Sequence, residues 1–120
     1  MRVFKNAAFS RYAQKENIGN DELLEIVDLL EKGVYNANLG GNVYKMRVVG
    51  KGKGKLGGFR VLVFFKREQR TFFAHGFAKN VMVNIKEKTL LKLKQQAKTL
   101  FEYTDDQIEI ALKEGILEEI

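Results

Sequence analysis

The chain has 120 residues and a mass of 13.8 kDa, enough for one folded domain, and its 45% apolar and 30% charged residues argue against wholesale disorder. It holds no cysteine, proline or tryptophan and a single histidine, His75, which excludes disulfide frameworks, thiol nucleophiles, cysteine metal sites and a zinc site built on histidine alone. The formal net charge is +6, but residues 41–86 carry eleven Lys/Arg against Glu68 alone, a net of +10, while residues 1–40 sum to −1 and residues 87–120 to −3. A basic centre between mildly acidic ends suits a polyanion, most commonly nucleic acid. A solvated lysine-rich face is the alternative. The longest apolar run, Val61 to Phe65, is too short to span a membrane. Met1-Arg2-Val3-Phe4-Lys5 lacks the pattern of a signal peptide. The expectation is a small cytoplasmic protein with no membrane partner.

In chain order, Arg2-Val3-Phe4 forms an edge strand. Asn6 caps a short helix that buries Ala8, Phe9, Tyr12 and Ala13. Asn17 to Asn20 is a turn, and Asn20 caps a second helix with Asp21 and Glu22 in its first turn. Leu23, Ile26, Val27 and Leu30 follow at helical spacing, and Gly33 stops it. The middle changes period. Tyr44, Met46 and Val48 alternate with Lys45, Arg47 and Val49, which makes one strand face apolar and the other largely cationic. Phe59 to Lys66 reads as a buried central strand, residues 66–70 as a turn, and Thr71 to Phe77 as the returning strand. From Lys86 the helical period resumes through Leu90, Leu93, Ala97 and Leu100, with Phe101 alongside. Thr104 and Gln107 form a capping box for a last helix that buries Ile108, Ala111 and Leu112 and ends at Gly115. The fold class is α+β. One antiparallel sheet of about four strands has a helical hairpin before it and helices after it, and residues 103–120 are a C-terminal helical extension of a single domain.

The glycine-rich stretch Gly50 to Gly58 satisfies G-x-G-x-x-G at Gly52, Gly54 and Gly57. A dinucleotide site needs a helix after the third glycine and an acidic residue about 20 positions later, and here a strand follows instead. A phosphate-binding loop of the G-x-x-x-x-G-K-[ST] kind is absent too, since the stretch has no Ser or Thr. A loop bearing Lys51, Lys53 and Lys55 suits a phosphate backbone, or is a solvated hairpin loop. Lys45, Arg47, Arg60 and Lys79 converge on one sheet face or its mouth if their strands are neighbours; otherwise they are strand-edge charges kept for solubility. Lys66, Arg67 and Arg70 add cations in the turn. His75, among aromatics, is structural, phosphate-contacting or a general acid or base. Phe64, Phe72, Phe73 and Phe77 either stack bases or fill the core. No Ser-His-Asp set and no carboxylate pair accompanies the cations.

These segments carry a resemblance. After a helical hairpin, Leu39 to Val48, Gly50 to Arg60 and Phe77-Ala78-Lys79-Asn80 resemble, in that order, the HigB-like branch of the RelE/ParE toxin superfamily. The acidic last helix is similar to an extension found in that branch. The resemblance implies an α+β toxin of a type II toxin–antitoxin system that enters the ribosomal A site and cleaves the mRNA there. Its implied partners are a cognate antitoxin, mRNA and ribosomal RNA, and no cofactor or metal is implied. The 2′-hydroxyl attacks the adjacent phosphate in such enzymes, and cations stabilise the transition state. By motif, Lys45 and Arg47 match the strand cations that activate the 2′-hydroxyl and hold the phosphate. Arg60 matches the arginine after the glycine turn, and Lys79 the cation closing the last motif strand. Lys51, Lys53, Lys55, Lys66, Arg67, Arg70, His75 and Phe77 are the expected RNA and ribosome contacts. The best-known relatives place an arginine after that lysine and a tyrosine several residues later. Asn80 and residues 81–86 supply neither, which leaves the general acid open among Lys79, Lys86 and His75. A gyrase-poisoning ParE-like activity and a non-catalytic nucleic-acid or ribosome-binding module are the alternatives.

Overall fold

The computed structural model describes residues 1–48, 58–78 and 86–120. Its strands are β1 (Arg2–Asn6), β2 (Ala37–Gly40), β3 (Val43–Val48), β4 (Phe59–Phe65), β5 (Arg70–Ala78) and β6 (Leu117–Glu119). Its helices are α1 (Ala7–Lys15), α2 (Asn20–Glu31), α3 (Glu87–Phe101) and α4 (Asp105–Lys113). The capping chemistry explains the helix starts. Asn6 Oδ1 accepts the Phe9 N–H at 2.7 Å, and Thr104 and Gln107 exchange two bonds at the start of α4. At α2 the cap is one residue earlier than expected. The Gly19 N–H donates to the Glu22 carboxylate at 3.2 Å, which frees the Asn20 side chain to accept from Lys5 Nζ. Gly33, with φ +78°, ends the helix as its sequence position required. In α1 the apolar face is narrower than expected: Phe9 and Ala13 are buried, but Ala8 faces solvent.

The sheet order is β2-β3-β4-β5-β1-β6. Strands β2 to β5 form an antiparallel meander, β1 lies parallel to β5, and β6 runs antiparallel to β1. The sheet is therefore six-stranded and mixed, not four-stranded and antiparallel. Strand β1 is also an interior strand, not an edge. Val3 is buried towards the helical hairpin and Phe4 towards the other face, as a strand covered on both sides demands. The segment expected to be a purely helical extension contains α4 and also β6. That strand is held to β1 by backbone pairing, by Arg2 on Glu119 (2.8 Å) and by Lys5 on Glu118 (3.1 Å).

Two cores result. Helices α1 and α2 cover Met46, Val48, Val61, Val63, Phe65 and Phe73 on one face. On the other, α3 and α4 cover Phe4, Val43, Phe64 and Phe72. Phe64, Phe72 and Phe73 are thus core residues.

Candidate nucleic-acid interface

The alternation in β3 sets up the site. Tyr44, Met46 and Val48 pack against the hairpin side, so Lys45 and Arg47 project from the opposite face. Register then brings the next cation alongside: Arg47 lies directly opposite Arg60, and Lys45 opposite Leu62. On β5, Arg60 faces Phe77 and Leu62 faces His75. Two parallel rows cross three strands, Arg47–Arg60–Phe77 and Lys45–Leu62–His75. Adjacent strands are about 4.8 Å apart, so the rows span roughly 10 Å.

A β-bulge makes this possible. The β4–β5 register shifts between Leu62/His75 and Val63/Phe73, which leaves Ala74 as the extra residue. Without it, His75 and Phe77 would point into the α1 side. With it, they turn to the cationic face. Asn6 Nδ2 holds the bulge by donating to the Ala74 carbonyl at 3.0 Å. Gly76 consequently faces α1, where a Cβ would overlap the Tyr12 ring, so glycine is needed for the close approach. Burial pushes the Tyr12 hydroxyl up to about 12, with Glu16 adding to the effect, so this phenol stays neutral on the far side of the sheet.

The rows contain no carboxylate. Arg47 and His75 are exposed, while Lys45 and Arg60 are half-buried. Two arginines directly opposite one another destabilise a strand pair by some tenths of a kcal/mol, so the arrangement favours an anion between them. Phe77 is only 5% exposed and has its ring 5.9 Å from His75, so it packs beneath the row and does not present an open stacking face. Lys86 is exposed at the start of α3. Lys51, Lys53, Lys55 and Lys79 lie outside the described residues, as does Asn80.

Lys66, Arg67 and Arg70 are not part of this gathering. They sit at the opposite end of β4 and β5, about 20 Å along a seven-residue strand. Arg70 donates to the Tyr103 carbonyl (2.7 Å) and to Asp105 (2.8 Å), and Arg67 donates to the Glu31 carbonyl (2.7 Å) at the end of α2. Both guanidiniums tie elements of the fold together. Sequence reasoning missed Thr89 and Gln96, which α3 brings beside His75; no motif marks them, because the bulge and the helix placement create the proximity.

Among the described residues no group of three or more His, Cys, Asp or Glu is placed to hold a metal ion, and no helix is long and apolar enough to cross a membrane. No curated protein matches the chain significantly. The family described as the RelE toxin of the RelE/RelB toxin–antitoxin system matches residues 1–120. Toxins of that family are generally mRNA endoribonucleases and pair with a RelB-type antitoxin. The match along residues 1–120 makes this chain, an α+β protein with cations gathered on one sheet face, a member of the RelE toxin family.

Proposed function

We propose that the protein is a ribosome-dependent mRNA endoribonuclease that halts translation. The observation that carries this reading is the cross-strand register of Arg47 with Arg60, with Lys45 and His75 on the adjoining row. In the reaction the 2′-oxygen of one nucleotide forms a bond to the neighbouring phosphorus and the P–O5′ bond breaks. The products are a 2′,3′-cyclic phosphate and a 5′-hydroxyl. The 2′-hydroxyl gives up a proton and the departing 5′-oxygen gains one. Lys45 lowers the cost of the 2′-alkoxide. Arg47 and Arg60, from two strands, hold the non-bridging oxygens and stabilise the charge that grows on them. A rigid sheet positions these groups better than a loop would. Of the groups suited to protonate the 5′-oxygen, His75 lies on the row and Lys86 opens α3.

The antitoxin, on this reading, lays an acidic segment over Lys45 and Arg60 and so screens the cations the RNA needs. Primer extension on mRNA in a translation reaction, with ribosomes present or withheld, tests the proposal. Wild type cuts within A-site codons only when ribosomes are present. Arg60→Ala, checked for folding by circular dichroism, loses about 100-fold or more of that cleavage, as expected when one donor to a developing oxyanion is removed. Intact mRNA with continuing translation would overturn the nuclease reading, and DNA-damage signalling in its place would point to gyrase.

A further inference from the structure

The Lys45–Leu62–His75 row leads into a cavity at the surface of α3. Where the Ala74 bulge meets α3, a cavity of about 290 Å3 is lined by apolar Leu62, Ala74 and Leu93 and by polar His75, Thr89 and Gln96. Asn6 also borders it, but both ends of its amide are committed, to the Ala74 carbonyl and to the Phe9 N–H. The side chains of Thr89, Gln96 and His75 make no hydrogen bond among the described residues, and all three are exposed. Leu62 is shared ground, since it pairs with Lys45 on one side and His75 on the other. The cavity therefore opens one strand away from the phosphate-binding cations.

We propose that this cavity is a nucleobase subsite, taking the base of a nucleotide that flanks the scissile phosphate. The inference rests on the nuclease reading above and deepens it by naming where base preference arises. The volume lies at the low end of small-molecule pockets, roughly 300–1,000 Å3, so it suits one ring system and nothing larger. The lining matches a base's chemistry. Leu62, Ala74 and Leu93 meet the faces of a flat heterocycle, and the exposed imidazole of His75 offers a stacking surface at the mouth. Gln96 has both donor and acceptor, and Thr89 a hydroxyl, which together read a base edge. A phosphate would leave the apolar lining unused. The adjoining cations supply the complementary charge for the nucleotide's backbone.

Two measurements on the full chain test this. In the first, methyl resonances of Leu62, Ala74 and Leu93 are followed while ApA, CpC, GpG or UpU is added, with ribose 5-phosphate as the control. Shifts with at least one dinucleotide and none with ribose 5-phosphate are expected, and Gln96→Ala narrows the spread of affinities among the four by about five-fold, the worth of one hydrogen bond. Silent methyls, or equal shifts with all four and with ribose 5-phosphate, overturn the subsite. The second maps cut sites in the translation reaction, where Gln96→Ala and the cavity-filling Leu93→Trp redistribute cuts among sequence contexts. An unchanged distribution in folded Gln96→Ala overturns the proposal while leaving the nuclease reading intact. Base-dependent methyl shifts with no mRNA cleavage by wild type sink the nuclease reading and keep the subsite.

Discussion

Strands β4 and β5 carry basic residues at both ends, and the two ends employ them for opposite purposes. At the 66–70 turn, the end of α2 and the α3–α4 junction supply carbonyls and a carboxylate. Arg67 and Arg70 are drawn into them, and the Arg70 side chain is only 15% exposed. At the other end Arg47 and Arg60 face each other across the ladder with no carboxylate in their rows. One basic end is thus tied to neighbouring elements of the fold, and the other sets two arginines across the ladder from each other. What separates them is the chemistry of the neighbouring elements, which charge alone does not reveal.

That contrast can be broken by substitution. Arg47→Ala should cost about 100-fold in ribosome-dependent mRNA cleavage, since it removes a phosphate donor. Its urea denaturation midpoint should stay constant or rise by the equivalent of a few tenths of a kcal/mol as like-charge repulsion is relieved. An equal loss of stability and activity would mean that Arg47 serves the fold.

Arg70→Ala should do the reverse. Loss of a charge-assisted bond to a carbonyl and one to Asp105 costs about 1–2 kcal/mol in urea unfolding, discounted because Asp105 is largely exposed. Cleavage per folded molecule should hold within about two-fold, because a tie remote from the rows removes no phosphate donor. Arg67→Ala, which strips one exposed bond from the end of α2, is expected to cost less than Arg70→Ala. A cleavage defect in either folded variant would extend the RNA surface to the turn end.

The smallest effect concerns the acidic strand β6. Lys5 and then Ser10 hold the Glu118 carboxyl below the usual carboxylate range, and Arg2 does the same for Glu119. Folded-state values below the unfolded ones stabilise the protein above the ordinary glutamate pKa of about 4.3, and that contribution fades as pH falls through the lowered values. Thermal unfolding between pH 6 and pH 3 should therefore show a modest acid loss that Glu118→Gln with Glu119→Gln flattens. Both carboxylates are well exposed, so screening keeps the effect small. An undiminished acid loss in the double variant would assign it to other carboxylates.

Much of this architecture was legible beforehand because the signals are local. The alternation of Tyr44, Met46 and Val48 with Lys45 and Arg47 depends on nothing but strand period, and the Thr104–Gln107 box is a four-residue device. Strands β2 and β6 were not legible. Ala-Asn-Leu-Gly and Leu-Glu-Glu have little intrinsic strand preference, and they become strands because β3 and β1 offer unpaired edges. The interior place of β1 has the same origin. A short Arg-Val-Phe run reads as an edge until β6, from the far end of the chain, closes its other side.

The candidate site divides along the same line. The sequence alone determined that the cations of β3 share a face and that a strand with Arg60 near its start follows them. Only the tertiary structure decided that Arg47 meets Arg60, that Arg67 and Arg70 are occupied elsewhere, and that His75 joins the row. The last depends on one extra residue, Ala74, in a ladder whose side chains alternate with a period of two. A single inserted position reverses the face of everything after it, and no local pattern announces where pairing will slip.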